Sequence, residues 1–147
     1  PLTWCPNGKK EECDVNVSLE EFNGQDISYW FTIIDLTNNT RESKHVMGKV
    51  DTVFPVLNNP NSFWSNQNQS KYVYFDMNIT EDNFDRVTYS YVDSRGRLKE
   101  KKLCSRLKYG NCYKKKSFRR GHYDVTVQIA DEAGHIEGFP ISFDIDY

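Results

Sequence analysis

The sequence is poor in the residues that build helices. It has 2 methionines and almost no alanine, and no stretch repeats its apolar residues at helical spacing, which excludes a helical bundle. No apolar run approaches about 18 residues, so nothing is expected to insert into a membrane as a helix. Histidine is limited to His45, His122 and His135. None of them lies in an H-E-x-x-H pattern, and neither G-x-S-x-G nor a Gly-rich phosphate loop occurs. Carboxylates are numerous but scattered, so no acid pair suited to glycoside chemistry stands out. EF-hand and nonapeptide calcium patterns are missing too. Asp35, Asp51, Asp131, Asp144 and Asp146 sit at strand ends and a seam, where a calcium ion would want oxygen ligands, but such residues ordinarily cap turns. These absences lead us to expect no enzyme activity, no cofactor and no metal ion. The chain starts at Pro1, without an initiator Met or signal peptide, so we expect a processed chain or a piece of a longer one.

Aromatic residues are abundant: Tyr 9, Phe 9 and Trp 3. Aromatic and β-branched side chains suit a pleated, half-buried surface. Strict alternation predicts strands over Ile27–Asp35, Tyr72–Ile79, Arg86–Val92, Tyr123–Ile129 and Phe139–Ile145. Val15–Leu19 and Ser43–Val50 are further candidates, and Arg97–Cys104 reads as a charged edge strand. Asp93-Ser94-Arg95-Gly96 marks a hairpin turn. Leu57 to Ser70 reads as a polar loop, and a second hairpin is expected to carry Cys104 and Cys112. Short strands with turn signals every 8–12 residues describe an antiparallel β-sandwich.

The chain also repeats itself. The pair Cys5 and Cys13 and the pair Cys104 and Cys112 each span eight positions, and the pairs lie 99 positions apart. Gly24, the run Ile27, Tyr29, Phe31, Ile33, and Asp35 follow the first pair. Gly121, the run Tyr123, Val125, Val127, Ile129, and Asp131 follow the second. A fixed period signals a repeated structural unit. Two matched short-loop cysteine pairs predict two local disulfides and an oxidising compartment. Each would close a loop of about nine residues, contributing about 2.6 kcal/mol in the chain-entropy account. Four N-x-S/T sequons, at Asn16, Asn38, Asn68 and Asn78, favour the same compartment, since about one or two would arise by chance at this composition. All four are candidate glycosylation sites.

Charge is unevenly spread. Residues 95–120 hold 12 of the 19 Lys+Arg and one acid, Glu100, so this block is +11 while the rest of the chain is −13. Lys114, Lys115, Lys116, Arg119 and Arg120 are its densest part. Such a block serves as a solvated edge that resists aggregation, as a contact with an acidic surface of a neighbouring unit, or as a site for acidic glycans. Nucleic acid is not expected, because no stacking motif is interleaved with the cations. Trp4, Trp30 and Trp64 offer rings for sugar stacking or for packing. Trp30 falls out of phase with Ile27–Ile33 and so faces the other side of its strand.

The run Gly121-His-Tyr-Asp-Val-Thr-Val-Gln-Ile-Ala-Asp-Glu-Ala-Gly134 resembles the closing motif of bacterial and archaeal immunoglobulin-like repeats, with His135 where those repeats usually carry Asn. Val50-Asp51-Thr52…Pro55 resembles the seam between such repeats. Asn78-Ile-Thr-Glu-Asp-Asn-Phe-Asp-Arg-Val-Thr-Tyr89 looks like their early strand pair. The resemblance implies an extracellular cell-surface protein built from tandem domains, and it specifies fold far better than task.

The expectation is therefore an all-β chain of tandem immunoglobulin-like sandwiches. Residues 52–147 form one full unit, and 1–51 the back half of a preceding one. The expected role is structural or adhesive, at a cell surface, filament or surface layer, with self-assembly by strand addition or charge complementarity. Partners are then other units of this kind, with acidic glycans as an option. A glycan-binding module using Trp30 and Trp64, and an accessory domain of a secreted enzyme, are the alternatives. Because the first copy lacks its front strands, its Ile27–Ile33 run should leave an open edge and an apolar face.

Overall fold

A computed structural model describes residues 12–67 and 70–146. The protein is all-β, with a short 3-10 turn at Glu20–Phe22. It divides into two units, Pro1–Thr52 and Val53–Tyr147.

The first unit is a kinked two-stranded ribbon. Strand β1 (Asp26–Tyr29) pairs with β4 (Val46–Lys49), and β2 (Thr32–Ile34) pairs with β3 (Thr40–Glu42), all antiparallel. The continuous strand expected over Ile27–Asp35 is interrupted at Trp30 and Phe31. There Ser43 takes over the pairing: its amide donates to the Phe31 carbonyl at 2.8 Å, and its hydroxyl accepts the Phe31 amide at 2.9 Å. The register slips by one residue across this bulge, which turns the ribbon. Val15–Leu19, whose alternation predicts a strand, forms none. Alternation specifies a face, but a strand also needs a partner.

The ribbon's tip is organised by Asp35. Its carboxylate accepts the Thr37 amide at 2.8 Å, the Asn39 amide at 2.9 Å and the Asn39 side chain at 2.8 Å. The Asn39 side chain, followed by Thr37, holds the Asp35 carboxyl down at about 2. Asn38 sits at φ 63°, a left-handed position that Asn tolerates. Little is buried among the described residues of this unit. Phe31 is 55% exposed, Ile33 69%, Leu36 88% and Met47 74%.

The second unit is a complete sandwich of two antiparallel sheets. One sheet orders β12-β11-β8-β9. In the other, β7 pairs with β10 on one side and with β5 and β6 on the other. The ranges are β5 Val56–Leu57, β6 Trp64–Ser65, β7 Tyr72–Thr80, β8 Phe84–Val92, β9 Leu98–Cys104, β10 Asn111–Ser117, β11 Gly121–Asp131 and β12 Ile136–Ile145. The stretch read as a polar loop over 57–70 thus contributes two short strands. Val73, Phe75, Met77 and Ile79 project inward from β7, and Val125, Val127 and Ile129 from β11, each almost fully buried. Burying such a side chain contributes about 1.5–3 kcal/mol. Pro140 lies in β12, an edge strand, where a missing backbone donor is tolerated.

Cys104 and Cys112 are bridged, with Cα atoms 6.0 Å apart. They do not sit in a paired hairpin, as the spacing suggested. Strands β9 and β10 belong to different sheets, and only a Lys108–Asn111 bridge joins them within the turn. The bridge therefore staples one sheet to the other.

The first cysteine pair is described at one end alone. Cys13 is itself a described residue, and its sulfur is disulfide-bonded, not a free thiol. Its expected partner, Cys5, lies outside the described residues. The geometry of a Cys5–Cys13 bridge therefore lies outside them too, and Cys104–Cys112 is the one bridge with both ends described. Cys13 also stands in a segment without strand structure.

Candidate functional site

The sheet switch creates a seam. Strands β9 and β10 are the edges of opposite sheets, tied together at their disulfide end. Away from that end the seam opens into a groove of about 1020 Å³. Its floor is aromatic. Tyr89 and Phe118 are buried, and Tyr91 and Tyr123 half-buried. Ring centroids lie 5.8 Å apart for Tyr89–Phe118, 5.5 Å for Tyr91–Tyr123 and 5.0 Å for Phe118–Tyr123. Burial pushes the Tyr89 phenol up to about 12, so it stays a neutral hydroxyl at any physiological pH.

The rim is cationic because of phase. In β9, Lys99 pairs with Tyr91 and Lys101 with Tyr89, so both lysines share the inward face of their tyrosine partners. At an edge strand their stems can lie on apolar surface while the ammonium reaches water. In β10, Lys114 and Lys116 pair with the inward Phe75 and Val73 but do not line the groove. Lys71, Arg95, Arg97, Arg119 and Arg120 complete the groove's cations, against one carboxylate, Asp93. Asp93 is shared by Arg97 at 3.0 Å and Lys99 at 3.7 Å. Backbone donation from Arg97 is the main cause holding it down at about 2. A concave surface with this imbalance concentrates anions.

Of the cations singled out from sequence, Arg119 and Arg120 line this groove. Lys115 faces the other way, its ammonium 3.8 Å from the Tyr72 ring centre. Lys71 and the tyrosine floor were not foreseen. Lys71 stands far from the basic block in the chain, while the inward phase of Lys99 and Lys101 was legible in their alternation with Leu103. Trp64 is half-buried and packs on Phe143 at 5.7 Å. Trp30 stacks on His45 at 4.3 Å with nearly parallel planes. Asn16 and Asn38 are exposed. Asn78 is half-buried, and its side-chain amide donates to Asn111 at 3.0 Å. Trp4 and Asn68 lie outside the described residues.

At the groove's mouth His122 brings Nδ1 within 2.8 Å of Asp144 and Nε2 within 3.3 Å of the Ser142 hydroxyl. The order Ser, His, Asp matches a nucleophilic triad, yet the setting does not. Ser142, His122 and Asp144 all stand exposed on a strand face. Asp124 lies 3.4 Å from Nε2 and competes for it. The arrangement is a cross-strand polar ladder, and the hydrogen bond to Asp144 raises the His122 pKa. Asp131 and Asp146, also considered for calcium, have side-chain partners too. Asp131 is buried and accepts the His135 amide at 2.8 Å, with His135 Nδ1 at 2.7 Å, and Asp146 lies 4.0 Å from Arg120.

No family model matches the chain, and no curated protein matches it in sequence.

Proposed function

We propose that this chain is a non-catalytic, extracellular structural or adhesive module of a cell-surface or filament protein, working by association with further units of its own kind. The observation that carries this reading is the ribbon 26–50. It exposes Phe31, Ile33, Leu36 and Met47, and an isolated two-stranded hairpin is marginal in water. Exposed apolar surface of this kind marks an interaction site. The Cys104–Cys112 bridge and the disulfide-bonded Cys13 support an oxidising compartment. The immunoglobulin-like repeat pattern supports a surface array.

Sedimentation velocity tests the role. Intact chain should self-associate with rising concentration at low salt. Ile33→Lys combined with Met47→Lys should abolish that association while leaving the sandwich's unfolding transition unchanged. A wild-type chain that stays monomeric at high concentration in low salt sinks the proposal. The glycan-binding reading loses part of its motivation, since Trp64 is engaged in packing on the core.

A further inference from the structure

The groove in the second unit lies between two unpaired sheet edges, and the first unit holds a segment suited to fill it. Residues 12–19 form no strand. Within them Val15, Val17 and Leu19 alternate with Asp14, Asn16 and Ser18, and Glu20 and Glu21 follow. Val17 is 58% exposed and Leu19 37%. The segment thus has strand periodicity, apolar side chains on one face and carboxylates toward both ends, but no strand to pair with among the described residues. Asp14–Leu19 is six residues long, against seven in each of β9 and β10.

We propose that Asp14–Leu19 of one copy docks as an added strand in the seam groove of a second copy, with Glu20 and Glu21 of the following turn beside its end. The contact rests on the assembling role argued above and gives it a donor and an acceptor. An added strand gains main-chain hydrogen bonds from the free edge and specificity from alternate side chains. Val15, Val17 and Leu19 meet the Tyr91, Phe118 and Tyr123 floor. The carboxylates at the ends meet Lys99, Lys101, Arg119 and Arg120. Inward-pointing lysines on an edge normally repel other strands. Here they select an acidic strand against neutral or basic ones, which gives specificity by rejection. The charge split of the whole chain, +11 in residues 95–120 and −13 elsewhere, makes a second copy a complementary partner. Donor and acceptor are different surfaces, so the contact is heterologous and passes from copy to copy, into a ring where the rotation closes and a filament where it does not.

The test uses the full chain and two complementary variants. Val17→Lys spoils the donor at an exposed position. Lys99→Glu with Lys101→Glu reverses the groove and leaves the donor intact. Each variant alone should self-associate about tenfold more weakly, or worse, than wild type. Mixed together they should recover association, because one intact donor and one intact groove are again present. A second acceptor variant, Arg119→Glu with Arg120→Glu, should behave like the lysine pair if the groove is the acceptor. Wild-type association that survives all these changes overturns the donor-groove contact and leaves the ribbon as the assembling surface. A chain that never associates overturns both readings. Loss in each variant without rescue on mixing overturns the pairing. If a sulfated polysaccharide binds wild type and not Lys99→Glu/Lys101→Glu, while self-association is unaffected, the groove is a glycan site and the proposal fails.

Discussion

The two units carry the same pattern and meet different fates. In the second, Val125, Val127 and Ile129 are almost fully buried, whereas in the first Phe31 and Ile33 are more than half exposed. Both runs begin at a glycine and end at an aspartate. Both aspartates do the same local work: Asp35 accepts the amide of Asn39, and Asp131 accepts the amide of His135, each four residues on. Asp93 does so again with Arg97. Local turn chemistry is thus shared across the chain. What differs, among the described residues, is a facing sheet. Alternation decides which side chains share a side, but only an opposing layer removes them from water.

The comparison is broken most severely from the core side. Phe75→Ala should lower unfolding free energy by about 3–5 kcal/mol, while Ile33→Ala, in the exposed ribbon, should change it by less than about 0.5 kcal/mol. Urea unfolding of the two variants measures the contrast, and equal losses would refute the claim that the ribbon lacks a core. The next effect is the staple. Cys104→Ser with Cys112→Ser should cost about 2.6 kcal/mol, read in the same assay.

The two aspartates sharpen the comparison further. Asp131→Ala orphans buried donors and should cost about 1–3 kcal/mol. Asp35→Ala should alter only the ribbon tip, visible as amide shifts at Thr37 and Asn39. Because the Asp35 carboxyl is held at about 2, below its ordinary 3.8, the turn's stabilisation is fully present above pH 3.8. It is lost as pH falls through about 2. A tip that melts by pH 4 would contradict this. The smallest effect belongs to His122. Its raised pKa means that the Asp144 contact stabilises most below the ordinary value of 6.5 and fades as pH rises through the folded value. His122→Gln should remove that slope, and NMR titration of the ring checks it.

Much of the sandwich was legible. Val73, Phe75, Met77 and Ile79 alternate so strictly that their burial followed from period alone, and Gly96, at φ 72°, closes the hairpin that Asp93-Ser-Arg-Gly announced. Spacing also picked out the Cys104–Cys112 bridge, and it marked Cys13 as a bonded cysteine. Other features were not legible. Spacing did not reveal that Cys104 and Cys112 join two sheets while Cys13 lies in a segment with no strand. Val15–Leu19 has the strand period and no strand partner among the described residues. Trp30 and Phe31 look like mid-strand residues but fall at the bulge where Ser43 takes over the pairing. Trp64 sits in a polar stretch, yet β6 joins β7 and turns its ring onto Phe143.

The groove shows where local information stops. Net charge, the basic block and the inward phase of Lys99 and Lys101 all follow from the order of residues. The groove itself follows from β9 and β10 joining different sheets while a disulfide ties one end, which brings Lys71 and Arg119 to a common rim. Side-chain phase has a period of two residues and is written locally. Which strand pairs with which depends on contacts between distant segments, and here that choice turned a run of cations into a groove with an aromatic floor.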